Sequence, residues 1–257
     1  MSHYIDLNSD LGESFGNYTL GMDSEVLNHV TSANVACGWH AGDPLIMEAT
    51  VRMCKEKGVA VGAHPGYPDL MGFGRRAMAV NPSEAKAYMI YQLGALQAFC
   101  DSYGVTLQHM KLHGAFYNTA CVTPALADAV LDGLQAVNPN IAAMVLSGSY
   151  IAKEAQRRGI PVIQEVFADR GYTDEGTLVP RTEPGAFIKD PQEALERVLM
   201  MVKEGKVVTN TGNTIDIVAD SICVHGDNPE AIAFTKYIRE GLAKAGVTVA
   251  NFQDRKK

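Results

Sequence analysis

The stretch His109-Met110-Lys111-Leu112-His113-Gly114 carries an ionisable side chain at every second position. In an extended strand successive side chains point to opposite faces, so His109, Lys111 and His113 share one face and Met110 and Leu112 the other. A strand with one apolar face ordinarily leaves its polar face to water. Here several other stretches repeat the pattern, which predicts that the polar faces meet inside a barrel.

Toward the N-terminus, residues 4–10 alternate in the same way. Ile5, Leu7 and Leu11 fall on one side and Asp6, Asn8 and Asp10 on the other, with Glu13 and Ser14 close behind. A second strand over 30–37 runs into Gly38-Trp39-His40-Ala41-Gly42-Asp43-Pro44. Asp43 before Pro44 is an N-cap and first-turn pair, and Gly58 is a natural stop, so 44–57 is predicted helical. A third strand, 59–63, delivers His64 into a long glycine-rich loop that carries Phe73, Arg75 and Arg76. Loops of that length in a compact domain are usually functional. Asn81-Pro82-Ser83-Glu84 reads as a capping box and Gly104 as the end of the helix it opens.

On the C-terminal side, the fourth strand runs out in 114–118 and a helix begins at Thr123-Pro124. A buried strand over 142–146 precedes a helix over 150–158. A sixth strand over 161–167 puts Glu165 and Asp169 on one parity, ahead of Arg170 and a second long polar loop. Asp190-Pro191 opens a helix that Gly205 closes. Residues 206–219 read as a hairpin around Gly212-Asn213. The seventh barrel strand, 221–224, ends in His225-Gly226-Asp227. A last helix runs to about Ala245, and 247–249 is read as a closing strand.

Strand and helix alternate about seven times with no linker, so residues 1–257 are read as one α/β domain with a parallel sheet. Polar residues stand at the C-terminal ends of at least six strands, where barrels build their sites. An open sheet concentrates its chemistry at one switch point instead. The expectation is therefore a distorted parallel (β/α) barrel of about seven strands, with the hairpin as an insertion.

The 257 residues are 47% hydrophobic and 20% charged, enough for a sizeable core. A net charge of -7 argues against a nucleic-acid surface, and the short Arg255-Lys256-Lys257 tail reads as a solvated end. No apolar run approaches a membrane span, and the first residues form no secretory leader. Five scattered cysteines with no CxxC pair point to reduced thiols in the cytoplasm.

Asp10, Glu13, His40, His64, Lys111, His113, Glu165, Asp169, Arg170, His225 and Asp227 are the candidate site residues. Single members have plainer readings beside the functional one. Asp43 reads as a helix cap, Asp227 as turn chemistry, and His109 as a buried core histidine. Cys223 reads as a small buried hydrophobe with no thiolate-stabilising neighbour. The set as a whole resists such readings, because barrel interiors favour branched apolar residues. Asp10, His64 and His113 suit a divalent metal that activates water. Without a metal, Lys111 and Arg170 can hold a carboxylate while histidines and carboxylates move protons in amide hydrolysis. No GxxxxGK[ST] phosphate loop occurs, which argues against a self-sufficient ATPase.

Six motifs in order resemble the LamB/YcsF family. They are Asp6-Leu-Asn-Ser-Asp10-Leu-Gly-Glu13-Ser14, Ser32-Ala-Asn-Val-Ala-Cys-Gly38-Trp-His40-Ala-Gly-Asp43 and Gly62-Ala-His64-Pro-Gly66-Tyr-Pro-Asp69 with Gly72-Phe-Gly74-Arg75. Lys111-Leu-His113-Gly114-Ala-Phe-Tyr117-Asn118, Glu165-Val-Phe-Ala-Asp169-Arg170 and Cys223-Val-His225-Gly226-Asp227 complete the set. The resemblance implies a barrel akin to glycoside hydrolases and deacetylases. It further implies ATP-dependent opening of 5-oxo-L-proline to L-glutamate with partner subunits B and C, which would handle the ATP.

Combined, these readings make Asp10, His64, Lys111, His113, Glu165 and Asp169 catalytic, with Glu165 or Asp169 as general base and Asp10, His64 and His113 around a metal or water. Asn8, Glu13, His40, Arg170, His225 and Asp227 are read as substrate-binding, with Arg170 and Lys111 on the substrate carboxylate or developing oxyanion. A stand-alone metal-dependent deacetylase or amidase, and a non-catalytic small-molecule-binding regulatory protein, are the competing expectations.

Overall fold

Ile5, Leu7 and Leu11 point outward from the first strand into the layer between barrel and helices, while Asp6, Asn8 and Asp10 point inward. That single alternation sets the architecture. A computed structural model describes residues 3–254, so the Arg255-Lys256-Lys257 tail and the first two residues lie outside the described part.

In chain order the elements are β1 (His3–Leu11), α1 (Asp23–Val26), β2 (Ser32–Ala36), α2 (Pro44–Lys57), β3 (Ala60–His64), α3 (Pro82–Tyr103), β4 (Leu107–Met110), α4 (Gly114–Val122) and α5 (Pro124–Val137). Then follow β5 (Ala142–Leu146), α6 (Tyr150–Arg157), β6 (Val162–Phe167), α7 (Pro191–Glu204), β7 (Lys206–Val208), β8 (Thr214–Asp216), β9 (Ser221–Cys223), α8 (Pro229–Lys244) and β10 (Val247–Val249).

Seven parallel strands close into a barrel in the order β1-β2-β3-β4-β5-β6-β9. The ring is completed by β9 against β1, with Asp6 opposite Ser221 and Asn8 opposite Cys223. The barrel is irregular between β3 and β4, where the register shifts at Val61/Gly62. Gly62 stands opposite His109 there, and a Cβ on it would collide with the His109 imidazole, which fills that part of the interior.

The caps work as their residue types predict. Asp43 accepts from the Leu45 and Ile46 amides at 2.9 Å each, and Asn81 and Glu84 form the capping box of α3. The hairpin is present, with β7 and β8 antiparallel.

Two expectations need correction. The 247–249 strand does not close the barrel. It pairs with the start of β1, His3 to Ile5, outside the ring that β9 and β1 complete. The fourth strand does not run out through 114–118: Gly114 adopts φ 55° and the chain turns directly into α4. The β4 ladder itself stops at Met110, yet Lys111 and His113 still donate backbone N–H groups to the carbonyls of Ala63 and Pro65 at 2.9 and 2.8 Å. The extended backbone therefore continues past the strand and keeps Lys111 and His113 on the inward face.

Inside the barrel the polar groups satisfy one another, as buried polar groups must. Asp6 accepts from Ser32 at 2.7 Å and from Thr31 at 2.6 Å, and also from Ser221. Asn34 donates to Asn8 and Asp10 at 2.8 Å each. His109, fully buried, has its Nε2 2.7 Å from the Asn34 side-chain oxygen Oδ1. Burial, with the Lys111 charge adding to it, drives its pKa down to about 3, so it is a neutral core histidine.

Candidate active site

A cavity of about 670 Å³ opens at the C-terminal rim of the barrel, lined among others by Asp10, Glu13, His64, Lys111, His113, Arg170, His225 and Asp227. Most of the expected residues thus meet at one place, although they come from five different strand ends.

At its floor lies Lys111. Its ammonium sits 2.9 Å from Asp10 Oδ1, 2.8 Å from Glu165 Oε1 and 3.2 Å from Cys223 Sγ. Burial alone would favour neutral lysine, but the charges of Asp10 and Glu165 reverse that and hold its pKa well above the ordinary lysine value. Glu165 is fully buried beneath it and receives a second hydrogen bond from the Tyr117 hydroxyl at 2.8 Å. Cys223 does therefore have a cation beside it, contrary to the sequence reading. Burial still outweighs that cation and pushes the thiol well above its usual range, so it stays a neutral, small apolar group.

Beside Lys111 stand three imidazoles. Gly66 and Gly74 make room for them: a Cβ on Gly66 would come within 2.6 Å of His40 Nδ1, and one on Gly74 within 2.8 Å of His113 Cδ2. Phe73 adopts the left-handed φ of 53°, uncommon for a bulky residue, and its carbonyl faces His113 Nε2 at 2.8 Å. His64 Nδ1 faces the Lys111 carbonyl, also at 2.8 Å.

A ring nitrogen against a carbonyl must carry the proton, so His64 Nδ1 and His113 Nε2 are the N–H donors. The remaining nitrogens, His64 Nε2 and His113 Nδ1, face each other across 2.9 Å. Asp10 Oδ2 is 3.2 Å from the first and Glu13 Oε1 3.7 Å from the second. His40 stacks on His113 with centroids 3.7 Å apart, and its Nε2 lies 3.2 Å from Glu13 Oε1. Burial, with neighbouring imidazole charge, holds His40 and His113 well below the usual histidine pKa. Four electron-pair donors of Glu13, His40, His64 and His113 thus lie within 4.8 Å of one another, and a cation is what such a cluster suits. Asp10, expected in that set, stands at its edge. Burial opposes its ionisation, but the charges of His64 and Lys111 keep its pKa well below the usual carboxylate value.

On the opposite wall His225 Nδ1 pairs with Asp169 Oδ2 at 2.8 Å. Burial disfavours charge on both, yet their mutual hydrogen bond raises the imidazole pKa and lowers the carboxylate's. Arg170 is buried and donates to the carbonyls of Ala186 and Val179 at 3.0 and 2.6 Å, so it holds together the loop after β6. Asp227 is exposed on the cavity wall, and the α8 cap is made by its neighbour Asn228 through the Ala231 amide at 2.8 Å. Asn8 lies deeper, bonded to Ser221 and Asn34 at 2.8 Å each.

Sequence reasoning passed over four groups in the cavity. Tyr117 braces Glu165, and Asp23 accepts from the Gly12 amide at 2.9 Å with its pKa raised by burial to about 6. Arg75 and Arg181 line the mouth. The sequence signals for these arginines are their places in long loops and, for Arg75, the Gly72-Phe-Gly74-Arg75 motif.

The LamB/YcsF family profile matches residues 5–257. The chain belongs to the LamB/YcsF family. A relative from Fusobacterium nucleatum, described as the A component of 5-oxoprolinase, is 60% identical over 254 residues, 99% of either chain. One of the same description from Pyrococcus abyssi is 54% identical over 250 residues, covering 97% of this chain and 98% of the relative. The crystal structure of a lactam utilization protein from Thermus thermophilus superposes with a TM-score of 0.92 at 45% identity, covering 97% of this chain and all of the other. This LamB/YcsF barrel therefore shares its fold with that protein over nearly its full length.

Proposed function

We propose that this chain is the ring-opening component of a 5-oxoprolinase, acting with partner subunits B and C in ATP-dependent hydrolysis of 5-oxo-L-proline to L-glutamate. The observation that carries the reading is the meeting, in one cavity, of an electron-rich His/Glu cluster, a buried ammonium and a carboxylate-held imidazolium. Amide hydrolysis needs those three functions: a place for water, a counter-charge for the oxyanion and an acid for the leaving nitrogen. The names of the relatives support the substrate.

The lactam carbonyl lies toward Lys111, whose ammonium stabilises the oxygen as it becomes negative. Water at the imidazole cluster attacks the carbonyl carbon and gives its proton to Asp10 Oδ2, the oxygen not held by Lys111 and Asn34. The C–N bond then breaks, and the ring nitrogen takes a proton from His225, whose other nitrogen Asp169 fixes. Glu165 serves in this scheme as the counter-ion of Lys111 and not as the base, because Lys111 and Tyr117 occupy its two oxygens.

His40, His64, His113 and Glu13 are the residues that would hold a divalent metal. The facing nitrogens of His64 and His113, with His40 Nε2 and Glu13 Oε1 beside them, fit that group. When bound, the metal would supply Lewis-acid activation of water. ATP is assigned to the partner subunits. Five free, buried cysteines support a reducing, cytoplasmic setting.

Purified chain combined with subunits B and C, ATP and 5-oxo-L-proline is expected to release glutamate, and omission of this chain to abolish it. Undiminished glutamate release in its absence would overturn the reading.

A further inference from the structure

The two cations expected to hold the substrate carboxylate are already engaged. Lys111 is neutralised by Asp10 and Glu165 and faces the lactam carbonyl in the scheme above, and Arg170 spends its guanidinium on two backbone carbonyls. Two other guanidiniums line the same cavity. Arg75 lies over the Phe73 ring at 4.8 Å, on the loop after β3. Arg181 lies over the Phe187 ring at 5.3 Å, on the loop after β6, with Arg170 above the same ring at 5.2 Å. Neither the Arg75 nor the Arg181 guanidinium hydrogen-bonds or ion-pairs with any described residue.

Three like charges are thus crowded on one wall with no carboxylate paired to them, an arrangement that costs energy until an anion arrives. The aromatic faces hold Arg75 and Arg181 flat and leave their N–H edges for a ligand. Of the four carboxylates in the lining, Asp10 is paired with Lys111, Glu13 lies beside His40, and Asp23 and Asp227 belong to the α1 side and the loop after β9.

We propose that Arg75 and Arg181 form the carboxylate subsite of this cavity, selecting lactams that bear an acid group on the ring. The inference rests on the lactam-opening reading. The two loops approach the substrate from different strands, so one ring substituent bridges them and fixes which way the lactam carbonyl faces. Arg170 acts as a positioning residue, tying Val179 and Ala186 together so that Arg181 reaches the mouth.

The test is steady-state kinetics of the reconstituted assembly on 5-oxo-L-proline, with Arg75→Gln, Arg181→Gln and the corresponding lysine variants. Each glutamine variant is expected to raise KM about 10- to 100-fold with kcat changed far less, as loss of a charge-assisted contact predicts. The lysine variants should recover part of that loss. An unchanged KM in both glutamine variants overturns the proposal. If the wild-type assembly makes no glutamate, the lactam-opening reading fails by itself. The subsite is then judged by calorimetric binding of 5-oxo-L-proline and of 2-pyrrolidinone, the same ring without its acid, to the purified chain. Weakening of the acid alone in Arg181→Gln upholds it. Equal affinity for the two lactams, or binding of neither, overturns it.

Discussion

Lys111 joins two groups of residues that would otherwise be unrelated. Toward the barrel interior it neutralises Asp10 and Glu165, and toward the cavity it presents the charge that an oxyanion needs. Across the cavity the Asp169–His225 pair has a clear pH signature. Because the His225 pKa is raised, the pair's contribution to stability is fully present below the ordinary histidine value and is lost as pH rises through the raised one. Asp169 is depressed, so its share is present above the ordinary aspartate value and is lost as pH falls through the depressed one. A His225 that acts as an acid makes the same alkaline prediction for activity. In the pH profile of kcat, the high-pH limb should fall above pH ~6.5, the unperturbed histidine value, and His225→Gln should remove that limb together with about 10²-fold or more of the rate. A profile with an unchanged alkaline limb in His225→Gln would rule out that role.

At the scale of elements, the strands were legible because alternation survives in the primary sequence, and the helices because their caps are local. Residues 44–57 and 142–146 match α2 and β5 in full. What was not legible depended on long-range geometry. No local signal tells that Gly114 takes a positive φ and starts α4 directly. Nor does one tell that a left-handed Phe73 turns its carbonyl onto His113, or that the Glu13 and His40 side chains reach the same point as His64 and His113. Arg75 and Arg181 look like ordinary surface charges until the two loops are seen to face one cavity. The glycines of β3 and its loop are the elements' concession to the imidazoles. Gly62→Ala should destabilise the fold by roughly 1–3 kcal/mol through overpacking against His109, read as a lowered denaturation midpoint. A midpoint equal to wild type would mean that the interior has slack that this geometry denies.

For the whole molecule, the parallel barrel followed from the repeated strand–helix order and from where the polar residues fall along it. Closure follows from β9 meeting β1, which no sequence periodicity specifies, so the extra pairing of β10 was read as the closing one. The folded barrel puts most of its apolar packing outside, under the helices, and a polar network inside, beside a small apolar cluster of Ala142, Met144 and Ile163. That inversion is what brings ionisable groups from distant parts of the chain to one rim. The most direct test is glutamate release from 5-oxo-L-proline by the complete assembly carrying His113→Ala in this chain, beside its thermal midpoint. A catalytic imidazole cluster predicts a fall of about 10²- to 10⁴-fold in kcat with the folded state retained. Wild-type turnover by that variant would contradict it.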